Sequence, residues 1–210
     1  MENPNTIINI LMVAATVFAS IVALIIAVYG KAMENAVYKP KISVGVRDGK
    51  GELTRTNDGN ARFYHLVIQN NSSKIAHNAV PMLKKIEKKM GDNYIPIWEG
   101  SELPLIWQFG NNNTSVSRNI GAYQKNNTDI VSISKSGLYI RTLFIAANMP
   151  PDINSPGRWP LDQSMSIVCT VYVKYDEGVS KDYKFEIYWD GKMMDDTLEM
   201  EKHFIIKEKS

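Results

Sequence analysis

The chain has 210 residues and a formal charge of +2, Lys and Arg being nearly balanced by Asp and Glu. So small a net charge gives no strong electrostatic pull on a nucleic acid, and a single cysteine, Cys169, excludes an intramolecular disulfide. Cys169 lies in Ile167-Val168-Cys169-Thr170-Val171, the setting of a small core hydrophobe rather than a nucleophile.

Residues 1–6 form a short tail, and the run from Ile7 to Val28 then gives 22 consecutive uncharged positions. At about 1.5 Å per residue a helix of that length reaches about 33 Å, which matches the roughly 30 Å hydrocarbon core of a bilayer. A lone segment in lipid must close all its own backbone hydrogen bonds, so the pattern predicts a transmembrane helix over 7–29. A cleaved signal peptide would need a basic lead, a shorter apolar stretch and a small-residue cleavage site. Residues 1–6 hold no Lys or Arg, and Tyr29-Gly30-Lys31-Ala32 is a poor cleavage site. Glu2 precedes the span, whereas Lys31, Lys39, Lys41 and Arg47 follow it, and basic residues favour the cytoplasmic side. The expected arrangement is a single-pass protein of the cell membrane, with a juxtamembrane linker over 30–37 and residues 38–210 in the cytoplasm.

Inside the span Ala15, Ala19, Ala23 and Ala27 recur every four residues, with Thr16 and Ser20 beside them. Lipid tails are as apolar as Leu, so membrane helices associate through close backbone approach along small-residue faces, helped by hydroxyls bonding across the seam. These six residues are the expected helix-packing surface of a homo-oligomer. A period of 4.0 exceeds 3.6, which suits a right-handed crossing rather than a long left-handed coil.

Residues 38–210 are enough for one domain with a substantial core. Short segments of period-2 alternation separated by Gly, Asn, Asp and Pro predict strands over Ile42 to Arg47, Arg62 to Asn70, Ala79 to Lys85, Leu103 to Phe109, Asp129 to Ser134 and Leu138 to Ile145. The clearest pair comes last. Ile167, Cys169, Val171 and Val173 share one face of a strand, and Tyr183, Phe185, Ile187 and Trp189 share one face of the next, with Asp176-Glu177-Gly178 as the hairpin turn. Asn57-Asp58-Gly59-Asn60 reads as a further turn. Seven or eight such strands with no long amphipathic helix among them predict a mainly β fold, a two-layer antiparallel sandwich of immunoglobulin-like type.

The segment Leu66-Val67-Ile68-Gln69-Asn70-Asn71-Ser72-Ser73, followed by Ala76, resembles the strand-turn-strand pattern of CARDB-like and related immunoglobulin-like domains of prokaryotic proteins. An Asn ending a buried strand can bond nearby backbone and shape the turn. Leu103-Pro104-Leu105-Ile106-Trp107 and the closing Phe185-Glu186-Ile187-Tyr188-Trp189-Asp190-Gly191 extend the resemblance, while Ser72 stands where that pattern usually has Gly. The resemblance implies adhesion or protein–protein contact, with no catalytic residue to carry over. Such domains are commonly extracellular, which pulls against the cytoplasmic orientation.

Catalytic motifs do not emerge. Ser132-Ile133-Ser134-Lys135 matches S-x-x-K only formally, because it ends a strand rather than occupying a helical turn. The only histidines are His65, His77 and His203, and a metal site would need at least two at one point. If residues 62–69 paired back across a turn near Ser72, His77 would fall opposite Gln69 rather than His65, so the three are expected to be structural. No catalytic residue, metal ligand or cofactor is expected. Lys84, Lys85, Lys88 and Lys89 form the densest basic cluster, which would touch anionic headgroups if the domain sat against the inner leaflet; with Glu87 among them and no interleaved aromatics they read rather as a solvated strand end.

Two long stretches, an Asn-rich one over 110–128 and a Pro-rich one over 146–163, read as loops, where recognition usually lives. In the second, Arg158 and Trp159 form an amphipathic pair of the kind enriched at interface hot spots, and they are the expected contacts to a protein partner; a Trp159 that caps the core is the competing expectation. The chain thus reads as a membrane-anchored interaction or accessory module. An extracytoplasmic binding domain for glycans or envelope components is one alternative, and a small membrane-tethered hydrolase is another.

Overall fold

The computed structural model of the chain describes residues 4–56, 59–108, 116–142 and 158–209. The chain divides into two compact units, 1–39 and 40–210. The first is a single helix, α1 (Pro4–Tyr38). Within it Leu11–Gly30, 20 residues of mean hydropathy 2.8, is long and apolar enough to cross a membrane, and none of it is buried by the rest of the chain. The helix does not stop at the expected linker, because Lys31-Ala32-Met33-Glu34 and the residues after them are mostly good helix formers. It ends before Pro40, whose ring disfavours helical conformation in the residue preceding it.

The second unit runs β1 (Ile42–Val46), β2 (Glu52–Thr56), β3 (Gly59–Asn70), β4 (Ala76–Met90), β5 (Asn93–Pro104), β6 (Ile106–Trp107) and β7 (Arg118–Ile120). It continues through β8 (Lys125–Ser134), β9 (Gly137–Ile140), β10 (Arg158–Trp159), β11 (Met165–Tyr175), β12 (Gly178–Val179), β13 (Tyr183–Trp189), the short helix α2 (Thr197–His203) and β14 (Phe204–Lys209). Two antiparallel sheets result. One has the order β1-β3-β8-β9-β10, with β2 also on β3 and β6 on β8; the other has the order β14-β13-β11-β4-β5, with β12 on β11 and β7 on β4.

The core lies between the sheets, and the period-2 pattern sets its two walls. Val44, Tyr64, Leu66, Ile68 and Ile133 are buried from the first sheet, and Leu83, Ile86, Ile167, Phe185 and Ile187 from the second. The β11–β13 pair has the expected alternation, with Cys169 opposite Phe185 and Ile167 opposite Ile187, and the turn ends at Gly178 with a φ of 150°. The segment after β13 is fastened at two points: Tyr64 stacks on Phe204 with ring centroids 3.8 Å apart, and Asp196 caps α2 by accepting the Glu199 amide at 2.9 Å.

Pairing of the 62–70 segment differs from the hairpin considered for it. β3 is occupied on both edges, by β1 and β2 on one and β8 on the other, so β4 crosses to the opposite sheet. Asn70 builds that arch. Its side chain is fully buried; Nδ2 donates to the carbonyls of Lys74, Ile120 (3.1 Å) and Gly121 (3.2 Å), and Oδ1 accepts from the Ser72 amide (3.1 Å) and hydroxyl (2.8 Å).

Other differences cluster at edges. The expected strand over 103–109 is divided: β5 ends at Pro104, and Leu105 donates its amide to the Pro81 carbonyl (2.8 Å) as the chain passes to β6 in the first sheet. Part of the expected Asn-rich loop is strand: Asn127 and Thr128 lie in β8 between β3 and β6, with Thr128 Oγ1 donating to the Ile106 carbonyl at 2.8 Å, and residues 110–115 lie outside the described residues. Phe109, residues 143–145 and the Asn57-Asp58 half of the predicted turn lie outside the described residues.

Candidate functional site

The outward face of the first sheet carries a concentration of buried polar groups. His65 on β3 lies opposite Asp129 on β8, at a point where the register shifts by one residue. That bulge turns the Asp129 carboxylate onto the ring: Nδ1 of His65 is 2.9 Å from Oδ1. Glu52 on β2 approaches from the other side, its Oε2 3.6 Å from Nε2. Gln108, just past β6, completes the group, its Nε2 donating to Glu52 Oε2 at 3.0 Å and lying 3.4 Å from His65 Nε2. His65, Gln108 and Asp129 are each less than 9% exposed, at 6%, 8% and 8%. Together with Thr54 and Phe63 they line a cavity of about 160 Å³. Arg47 reaches Glu52 at 3.5 Å, and the Arg141 guanidinium sits 5.4 Å above the Phe63 ring.

Gln108 Oε1 accepts from Asn127 Nδ2 at 2.8 Å, so its NH₂ faces both Glu52 and His65 Nε2. With the amide in that orientation, the matching neutral tautomer accepts at Nε2 and donates from Nδ1 to Asp129. Among the described residues the ring makes its polar contacts with Asp129, Gln108 and Glu52. The group can recognise a ligand by hydrogen bonds.

The other histidines are also paired with acids. His77 Nδ1 meets Glu177, and His203 Nδ1 meets Asp190 at 2.6 Å. Burial alone would raise both carboxyls, but the hydrogen bonds from the histidines and from backbone amides outweigh it and hold Glu177 and Asp190 below the usual range. Of the lysine cluster Lys84, Lys88 and Lys89 are exposed and Lys85 is half-buried, with Lys84 paired to Asp182 at 2.8 Å and Lys85 to Glu87 at 3.1 Å. No group of three metal-ligating side chains occurs among the described residues. Cys169 is fully enclosed, and burial pushes its thiol up to about 12.

Trp159 is placed in the core, not at a contact surface. It is 7% exposed, and β10 lies on β9 with Trp159 opposite Leu138. The close approach depends on Gly137, which has a φ of 117°; a Cβ there would lie 2.1 Å from the Trp159 carbonyl oxygen. Of the two expectations for Trp159, an exposed anchor and a core cap, the burial matches the cap, the large apolar ring gaining more from burial than from exposure. Arg158 is in the same strand.

The helix-packing residues Ala15, Thr16, Ala19, Ser20, Ala23 and Ala27 are all exposed along α1. Thr16 Oγ1 donates to the Met12 carbonyl and Ser20 Oγ to the Thr16 carbonyl, each at 2.8 Å. Both hydroxyl hydrogens are thus spent within the helix, which leaves the oxygens as acceptors only for a neighbour.

What sequence reasoning missed is the convergence on His65. Glu52, His65 and Asp129 come from three strands and Gln108 from the turn after β6, and only the pairing of β2 and β8 with β3, and of β6 with β8, brings them together. No local spacing encodes that. No family model matches this chain, and neither a curated protein nor a solved structure does.

Proposed function

We propose that the protein is a single-pass, membrane-anchored β-sandwich that works as a non-catalytic interaction module, displaying the polar recess around His65 to a protein partner. The observation that carries this reading is α1: an apolar stretch as long as a bilayer is thick, none of it covered by its own chain, running on to within two residues of a folded sandwich. Unburied apolar surface of that extent is stable only in lipid. The arch at Asn70 supports the kinship with CARDB-like immunoglobulin-like domains, since the Asn that ends the resembling segment organises the turn after it. Basic residues following the span favour the cytoplasm for the sandwich. The Ala15, Ala19, Ala23 and Ala27 stripe gives the helix a face for self-association.

Three measurements test the reading. After alkaline carbonate washing the full chain should stay with the membrane pellet, and release into the supernatant would refute the anchor. Ser73→Cys, at an exposed site, should react with an impermeant thiol reagent only after lysis, against a silent background because Cys169 is buried. Labelling of intact cells would move the sandwich outside and favour the glycan or envelope reading. Ala19→Leu should weaken the cross-linked dimer without loss of insertion, because Leu holds backbones apart yet inserts at least as well as Ala. Turnover of a hydrolase substrate panel by the purified chain would overturn the non-catalytic assignment.

A further inference from the structure

The end of the sandwich where the chain enters is held firmly. Tyr175 donates its hydroxyl to the Pro40 carbonyl at 3.2 Å, and Tyr183 donates to the Ile42 carbonyl at 3.0 Å. Pro40 is ten positions beyond Gly30, the last residue of the apolar stretch. Pro40 follows Tyr38, the last residue of α1, by two positions, so chain connectivity tethers this end of the sandwich to the anchor.

Two apolar side chains project from the loops at this end. Tyr123 is 67% exposed and sits at the tip of the β7–β8 turn with a φ of 57°, an uncommon state for a bulky residue. The turn is nonetheless rigid. Gln124 donates its amide to the Gly121 carbonyl at 3.1 Å, Gln124 Oε1 accepts the Gly121 amide at 2.8 Å, and the Tyr123 amide reaches the Ser72 carbonyl at 3.3 Å. The last bond brings the tip beside the β3–β4 arch, where Ile75 is 47% exposed. An amphipathic ring held outward at a backbone cost, next to an exposed Ile, has no role in the core of its own domain.

Around these tips the charge is basic. Lys39, Lys41, Lys74, Lys125 and Lys181 are exposed at this end, against the carboxylates Asp176, Glu177, Asp182 and Glu208, of which Asp182 is paired with Lys84 at 2.8 Å. Asp176 already accepts from Asn78 Nδ2 at 2.8 Å, and Glu177 is paired with His77.

We propose that this Pro40 end, with Tyr123 and Ile75 as insertion points and the surrounding lysines as charge contacts, docks onto the anionic headgroups of the bilayer that holds α1. Tyr partitions to the membrane–water interface because its ring prefers the acyl boundary while its hydroxyl prefers headgroups. Lysines near the surface are drawn to anionic lipid within about a Debye length. The proposal rests on the membrane-anchored reading and adds a second contact that fixes how the sandwich faces the lipid.

The test uses the full chain in nanodiscs of phosphatidylcholine alone or mixed with phosphatidylserine. A fluorophore is placed at Ala122→Cys, beside an intact Tyr123, or at Ser136→Cys in the β8–β9 turn at the far end, and headgroup-nitroxide lipid serves as quencher. Quenching at Ala122→Cys should exceed that at Ser136→Cys at least about twofold in phosphatidylserine discs, and fall with added salt, with Tyr123→Ala or with Lys41→Glu/Lys125→Glu. Equal quenching at the two sites in a chain that still co-elutes with the discs would overturn the docking while leaving the anchor intact. Quenching that is the same without phosphatidylserine would refute the anionic lipid. Failure of the chain to co-elute with discs would refute the anchor, and the docking with it.

Discussion

Replacing Asn70 tests whether one amide builds the passage between the two sheets. In Asn70→Ala the carbonyls of Lys74, Ile120 and Gly121 lose their donor, and the Ser72 amide and hydroxyl lose their acceptor. Each bond contributes about 1 kcal/mol net, and a buried group left unpaired costs about 1–3 kcal/mol. Some of these groups lie near the surface and regain water, so the sum expected is about 3–5 kcal/mol, a large part of the about 5–15 kcal/mol that holds a typical domain. At about 2–4 °C per kcal/mol for a domain of this size, the melting temperature should fall by about 10 °C. Asn70→Asp is the decisive control. A carboxylate still accepts from Ser72 but sets negative oxygen against the Ile120 and Gly121 carbonyls, so it should be at least as destabilising as Ala. Urea titration of the full chain in detergent micelles, followed by tryptophan fluorescence, measures both variants. If Asn70→Asp matches the wild type, the donor half of the network contributes nothing, and Asn70 is merely an acceptor in a local turn.

Phe185→Ala, at a fully buried position in the centre of β13, should cost about 3–5 kcal/mol with an unchanged denaturant slope, and a loss below about 1 kcal/mol would mean that the strand face is misassigned. The carboxyl of Glu186 is held below the usual range, first by the Tyr94 hydroxyl and then by Lys207. A lowered folded value means that its stabilisation is complete above the ordinary carboxylate value of about 4.3 and is lost as pH falls through the folded value. The melting-temperature gap between wild type and Glu186→Gln should therefore be constant at neutral pH and close below about pH 4; a gap that widens in acid would reverse the assigned sign.

Several features were determined by sequence alone because they depend on local periodicity or length. An uncharged run as long as a bilayer is thick defines α1 without reference to any other residue, and the alternation in β11 and β13 sets both the face and the register, with Cys169 opposite Phe185. Elements at the margins left no such trace. β2 and β14 bear charged or exposed side chains, and β5 contains Pro96, Pro104 and Gly100, which an edge strand tolerates because one side of its backbone needs no partner. Asn127 and Thr128 read as loop from composition, yet they are strand because neighbours on both sides supply their hydrogen bonds. Trp159 read equally well as an anchor or a cap, and burial decided for the cap through its approach to Gly137. The His65 recess is the extreme case. Its groups are separated by up to 77 positions, from Glu52 to Asp129, and meet because β2 and β8 flank β3 and a single bulge turns the Asp129 carboxylate toward the imidazole. A period is written into neighbouring residues, whereas convergence is a property of strand order, which is decided only when the two sheets close over a common core.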